Sequence, residues 1–206
     1  MTDHRWRLTG RIVADRVIGI IRAPSARDAV ESGTRLTSAG LGAIEVSLST
    51  PGALAAIGGL ATGATLVGAG TVLDPQQAVL AIEAGARFLV CPALNPEVIR
   101  TAHRHGVPVV AGAATPTEIL AALEAGADLV KLFPASQSSP TVLRDILQAL
   151  PQAPLVPTGG ITARTAPEWI AAGAVAVGMG GELTRGAPQD VGPRISDLLA
   201  ALRSQE

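Results

Sequence analysis

Cysteine is nearly missing from this chain: one residue in 206, Cys91, leaves no internal disulfide, fits a reducing compartment, and is expected to pack as a small hydrophobe. The His and Cys spacings match no zinc pattern, so no structural or catalytic metal is expected. Charge is sparse as well. With 16% charged residues and a formal net charge of -1, there is no basic face for nucleic acid and no acidic tail, which leaves a small molecule as the expected partner. Met1 to Arg16 is studded with charge and lacks the apolar core of a secretory signal, so it reads as a short capping helix of a cytoplasmic protein. Between Val46 and Leu73 it is charge that is absent, and a crude hydropathy window would score that stretch as a membrane span. Pro51, Gly58, Gly59, Gly63, Gly68 and Gly70 would break such a helix repeatedly, so no membrane partner is expected. The stretch reads instead as a strand, a loop, an Ala-rich helix and a buried strand.

What the sequence does contain is a recurring phrase. Ala39-Gly40, Thr62-Gly63, Ala84-Gly85, His105-Gly106, Ala125-Gly126 and Ala172-Gly173 each precede a short apolar, often β-branched run. A glycine just past a helix end supplies the left-handed residue that stops it, and the run that follows starts a strand. Upstream lie helix-length segments such as Pro75 to Ala84, Pro96 to His105 and Pro116 to Ala125, with proline in the first turn, where its missing N–H is harmless. With Val17 to Arg22 and Leu155 to Thr158 added, the pattern makes eight strands alternating with helices. It predicts one domain over residues 1–206, an α/β fold of the (β/α)8 TIM-barrel class with a short N-terminal capping helix. Alternation does not reveal strand order, so an open sheet is the competing architecture.

Active sites of such barrels sit at the carboxyl ends of the strands, which singles out polar residues there. In the second strand Ile44, Val46 and Leu48 share one face, and Ala43, Glu45 and Ser47 the other, so Glu45 points into the barrel. A carboxylate removed from water must be hydrogen-bonded, protonated or functional; an ion pair with an arginine is the structural alternative. In the sixth strand Lys131 shares a face with Leu129 and Phe133, and it is the only lysine among 16 Lys+Arg residues. Arginine cannot replace an amine that must lose its proton and attack a carbonyl. An unperturbed lysine titrates near ~10.4, and apolar neighbours that exclude water favour the neutral, nucleophilic form. A Schiff base with a 2-keto acid is therefore expected at Lys131, with a salt bridge or a phosphate contact as the other uses of such a residue. The glycine pairs Gly159-Gly160 and Gly180-Gly181 follow strands seven and eight, the common place for phosphate in these barrels. Arg22 closes the first strand, where it can hold an anion or pair with Glu45. His103 and His105 flank a helix end and read as surface residues.

The motifs Ile44-Glu45-Val46, Val67-Gly68-Ala69-Gly70-Thr71-Val72-Leu73, Cys91-Pro92, Lys131-Leu132-Phe133-Pro134-Ala135 and Pro157-Thr158-Gly159-Gly160-Ile161 together resemble the 2-keto-3-deoxy-6-phosphogluconate and 6-phosphogalactonate aldolase family over nearly the whole chain. The resemblance implies a class I aldolase that needs no cofactor and yields pyruvate and glyceraldehyde 3-phosphate. It implies Lys131 as the Schiff-base lysine and Glu45 as the general acid and base. Thr71, Pro92, Thr115 and Phe133 would line the keto-acid pocket, and Gly159, Gly160, Gly180 and Gly181 would surround the phosphate. It also implies a homotrimer. Gluconate-type members often carry an arginine where Ser49 stands, so Glu45-Val46-Ser47-Leu48-Ser49-Thr50-Pro51 resembles the galactonate-type branch more, with Arg22 taking the carboxylate. Gly181 replaces a serine common at the phosphate loop. 4-Hydroxy-2-oxoglutarate is an alternative substrate; phosphate-binding epimerases, isomerases and synthases, or a sugar-phosphate sensor on a retired barrel, are alternative readings of the fold.

Overall fold

Strand-forming runs and helix stops fall where the repeating phrase places them. The computed structural model describes residues 5–185 and 187–204, so the first four residues of the expected capping segment and the last two of the chain lie outside the described residues. Eight strands, β1 (Val17–Ile21), β2 (Ala43–Ser47), β3 (Leu66–Gly70), β4 (Leu89–Val90), β5 (Val109–Ala113), β6 (Leu129–Leu132), β7 (Leu155–Pro157) and β8 (Val177–Met179), alternate with helices. All are parallel, in the order β7-β6-β5-β4-β3-β2-β1-β8. The outer two strands then meet each other: Thr158 bridges Gly178, and Val175 N donates to Leu155 O at 3.0 Å. The sheet thus closes on itself, and the open-sheet alternative falls.

The helices are α1 (Arg5–Val13), α2 (Ala26–Ser38), α3 (Ala53–Leu60), α4 (Pro75–Glu83), α5 (Pro96–Arg104), α6 (Pro116–Glu124), α7 (Pro140–Ala149), α8 (Ala166–Ala171), α9 (Gly181–Thr184) and α10 (Val191–Arg203). Proline opens α4, α5, α6 and α7, with Asp74, Asn95, Thr115 and Ser139 as N-caps whose side chains accept backbone N–H bonds. Of the six glycines expected to stop helices, Gly40, Gly85, Gly106, Gly126 and Gly173 have positive φ; Gly63 does not, because α3 has already ended at Leu60. The charge-free stretch forms β2, a turn, α3 and β3, and among the described residues no helix is long and apolar enough to cross a membrane.

Side-chain alternation sorts the core into two shells. Ile44, Val46, Val67, Val130 and Leu132 face outward and pack under the helices, whereas Ile18, Ala43, Leu66, Phe88, Val110, Leu129 and Val156 fill the barrel's amino end. Leu8 and Ile12 of α1 complete that inner cluster, each at most 1% exposed. Burial of this kind contributes about 1.5–3 kcal/mol per large aliphatic side chain, which makes α1 a plug rather than an appendage.

β3 runs through Gly68 to Gly70, within the buried strand expected there; a Cβ at Gly68 would lie 2.6 Å from the Phe88 ring, so the glycine makes room for a neighbour. One reading needs correction. His103 is not a bare surface residue. Its Nε2 lies 2.9 Å from Asp128 Oδ2, and Arg5 Nη1 lies 3.1 Å from Asp128 Oδ1, tying α1 and α5 to the base of the barrel; His105 is exposed. The Asp128 side chain, 6% exposed, also accepts the Val109 N–H at 2.9 Å.

Candidate active site

Two residues further along β2, β6 and β7 the inward positions carry polar side chains, Glu45, Lys131 and Thr158. Glu45 on β2 and Lys131 on β6 are 3% and 7% exposed, and both face the same cavity of about 520 Å³ at the carboxyl end of the barrel. Register explains the fit of Glu45: on the neighbouring strand a Cβ at Gly70 would come within 2.5 Å of Glu45 Oε1, so the missing side chain provides the carboxyl group's space. Burial pushes the Glu45 pKa above its ordinary value near 4.5, while the charges of Lys131 and then Arg22 pull it back. A carboxyl group that holds its proton to higher pH than usual, within the field of an amine, is suited to give and take a proton in turn.

Lys131 Nζ lies 4.8 Å from the centroid of the Phe133 ring, which stands two residues later on the same face. The ring shields the amine on one side, and at 37% exposure it forms part of the cavity's rim. Cys91 beside the cavity is pushed up to about 12, first by burial and then by the charge of Glu45, with Lys131 opposing. It is a neutral thiol in the apolar shell, as expected of a small hydrophobe.

Arg22, Thr71, Pro92 and Phe133 line the same cavity as Glu45 and Lys131, and so do Gly159, Gly160, Gly180 and Gly181. Gly159 and Gly160 both have positive φ, which turns the chain tightly after β7. Arg22 does more than neighbour Glu45: its Nε donates to Ser49 Oγ at 3.3 Å. Thr71 has φ 62, an outlier for a β-branched residue that costs about 1–3 kcal/mol, and its Oγ1 lies 2.8 Å from Ser47 Oγ.

Thr115 is not brought to this cavity. Its hydroxyl accepts from Glu118 N at 3.3 Å, and Glu118 Oε2 accepts from Thr115 N at 3.0 Å, a capping box at the start of α6. The threonine, proline and glutamate of that turn already carry this signature in the sequence.

Other lining residues escaped the sequence reading. Thr158 is 4% exposed and faces inward two residues after Val156, its hydroxyl donating to Val156 O at 3.2 Å. The space it occupies is the space a Cβ at Gly178 would take. Strand alternation would have found it. Glu182 and Arg185, 4.0 Å apart at the mouth, follow the last strand without any spacing that marks them. Among the described residues no group of three or more His, Cys, Asp and Glu could hold a metal ion. What the arrangement offers is an amine, a buried carboxyl group, a cation and hydroxyl donors around one cavity. That set can form an imine with a carbonyl compound and move the protons the step requires.

Known proteins share this architecture and sequence. The family model for KDPG and KHG aldolase matches residues 9–190. The chain is 35% identical over 173 residues to the 2-dehydro-3-deoxy-6-phosphogalactonate aldolase of Escherichia coli, covering 82% of this chain and 84% of that protein. It is 39% identical over 160 residues to the 2-dehydro-3-deoxy-phosphogluconate aldolase of Treponema pallidum, covering 76% of each. A crystal structure of the KDPG aldolase from Legionella pneumophila, with pyruvate captured at low pH as a covalent carbinolamine intermediate, superposes with a TM-score of 0.79 at 28% identity, covering 96% of this chain and 97% of that one.

Proposed function

Because this chain belongs to the KDPG and KHG aldolase family, a family of carbon-carbon lyases, we propose that it cleaves a 2-keto-3-deoxy-6-phospho sugar acid to pyruvate and glyceraldehyde 3-phosphate through a Schiff base on Lys131. The observation that carries the residue assignment is that the chain's only lysine and its inward carboxyl group face one cavity, with Lys131 acting electrostatically on Glu45.

In this mechanism the Lys131 amine attacks C2 of the keto acid, and Glu45, working through a water, gives the proton that lets the carbinolamine lose water. The protonated imine draws in the electron pair of the C3–C4 bond as that bond breaks. Glu45 takes the proton of the C4 hydroxyl, and the aldehyde departs. The enamine is then protonated at C3, and hydrolysis of the imine releases pyruvate and frees Lys131. Arg22 and Thr71 supply donors for the C1 carboxylate; Pro92 and Phe133 supply apolar walls. Backbone N–H groups around Gly159, Gly160, Gly180 and Gly181 receive the phosphate. Thr115, occupied as a helix cap, has no part in this scheme. No cofactor enters it.

Similar identity to a phosphogalactonate and a phosphogluconate enzyme supports the reaction and leaves the stereochemistry to assay. The reading includes a single domain over residues 1–206, working in the cytoplasm as a homotrimer, a mass that sedimentation measures directly. A coupled pyruvate assay over the phosphogluconate, phosphogalactonate and 4-hydroxy-2-oxoglutarate substrates tests the proposal. Pyruvate release from a phosphorylated acid supports it; release from hydroxyoxoglutarate alone moves the assignment to that substrate. Release from none, with turnover of an epimerase or isomerase substrate, ends it.

A further inference from the structure

A line of four side chains runs beside the cavity at the carboxyl ends of β1, β2 and β3. Arg22 Nε donates to Ser49 Oγ at 3.3 Å, Ser49 Oγ lies 2.8 Å from Ser47 Oγ, and Ser47 Oγ lies 2.8 Å from Thr71 Oγ1. The two ends, Arg22 and Thr71, line the cavity, whereas the two serines between them do not. Ser47 is fully buried on the face that carries Glu45, and it also receives the Ser49 N–H at 3.4 Å. Thr71 is held at φ 62, a conformation a β-branched residue avoids unless its surroundings fix it.

A hydroxyl has one hydrogen to give and two lone pairs to receive with, and a guanidinium only gives. When an anion in the cavity takes the Thr71 hydrogen, Thr71 must receive from Ser47, and Ser47 from Ser49, while Ser49 receives from Arg22. Every hydrogen in the line then points from the cation toward the anion, the arrangement in which successive hydrogen bonds strengthen one another. An uncharged acceptor takes the Thr71 hydrogen far less strongly, and so imposes this order only weakly. We propose that Ser47 and Ser49 are positioning residues for the carboxylate of the keto acid: they fix Thr71 as a donor and hold Arg22 beside it, without touching the substrate. The proposal rests on the keto-acid reading of the cavity given above. The competing role is a plain staple between β2 and the loop after β3, which would affect all ligands alike.

Borohydride trapping separates the two. The amount of Lys131 reduced is measured against the concentration of pyruvate and, separately, of hydroxyacetone, a ketone with no carboxylate. Ser47→Ala, which breaks the line at its middle, should raise the pyruvate concentration for half-maximal trapping about tenfold, and Ser49→Ala about threefold, both within the range that loss of a single hydrogen bond gives. Hydroxyacetone should trap as in the wild type, and Ser49→Thr, which restores the hydroxyl, should return the pyruvate value. Ser49 is exposed, so the Ser49 pair decides the matter even if Ser47→Ala does not fold. Unchanged pyruvate values, or equal rises for both ketones, overturn the positioning role. Failure of the wild type to trap pyruvate at all overturns the keto-acid reading and this inference with it; normal wild-type trapping with indifferent variants overturns this inference alone.

Discussion

At the amino end of the barrel the inward residues are Ile18, Leu66, Phe88, Leu129 and Val156, sealed by Leu8 and Ile12 of α1; one inward step later along the same strands stand Ile20, Gly68, Lys131 and Thr158, with Glu45 among them. The first layer is dry and closed. The second opens into a cavity and carries both buried ionisable side chains of the barrel interior. Strand alternation makes this division possible: residues i and i+2 face the same way, so each strand contributes one side chain to stability and the next to chemistry. The amino-end layer can then be packed to high density while the carboxyl-end layer takes polar side chains, Glu45 and Thr158 filling the room left by the missing side chains of Gly70 and Gly178.

Substitutions at the two ends should therefore fail in different ways. The largest effect is expected from Lys131→Arg, which keeps the charge and removes the nucleophile: pyruvate release should fall by about 10⁴-fold or more, with a thermal melt close to that of the wild type. Glu45→Gln comes next, with a loss of about 10²–10³-fold in kcat in the same assay, because proton movement is impaired while the amine survives. At the other end, Ile12→Ala should lower unfolding free energy by about 2–4 kcal/mol in denaturant titrations and leave kcat within about twofold below the transition. If Ile12→Ala lost activity while still fully folded, the separation of the two ends would be wrong.

The smallest effect concerns pH. Burial raises the Glu45 pKa in the folded chain above its ordinary value near 4.5, so folding favours the protonated group. That contribution is fully present below about 4.5 and is lost as pH rises through the folded value. Glu45→Gln should accordingly melt at a higher temperature than the wild type at pH 8, and the gap should close as the pH is lowered toward 4.5. A gap that widens in acid would mean that the carboxyl group is stabilised as its anion.

Much of this division was legible in the sequence. The glycine-stopped helices gave the alternation, and the period of two placed Glu45 and Lys131 inward; the solitary lysine stood out by composition alone. What was missed depends on contacts between residues distant in the chain. Barrel closure comes from Thr158 meeting Gly178 across β7 and β8, and the partner of His103 is Asp128, 25 residues later. The reason for glycine at positions 68 and 70 of β3 likewise lies elsewhere in the chain, in Phe88 and Glu45, which fill the space beside them. Thr115 is a different case, since its capping box was present locally and was outweighed by a resemblance at a strand end. The line from Arg22 to Thr71 joins three strand ends and has no local pattern to announce it.

The most direct measurement is intact mass after borohydride reduction in the presence of pyruvate. With a single lysine in the chain, one reduced adduct per protomer should form on the peptide that contains Lys131, and none should form in Lys131→Arg. An enzyme that releases pyruvate at full rate yet takes up no mass at that peptide, or takes it up elsewhere, would contradict the account.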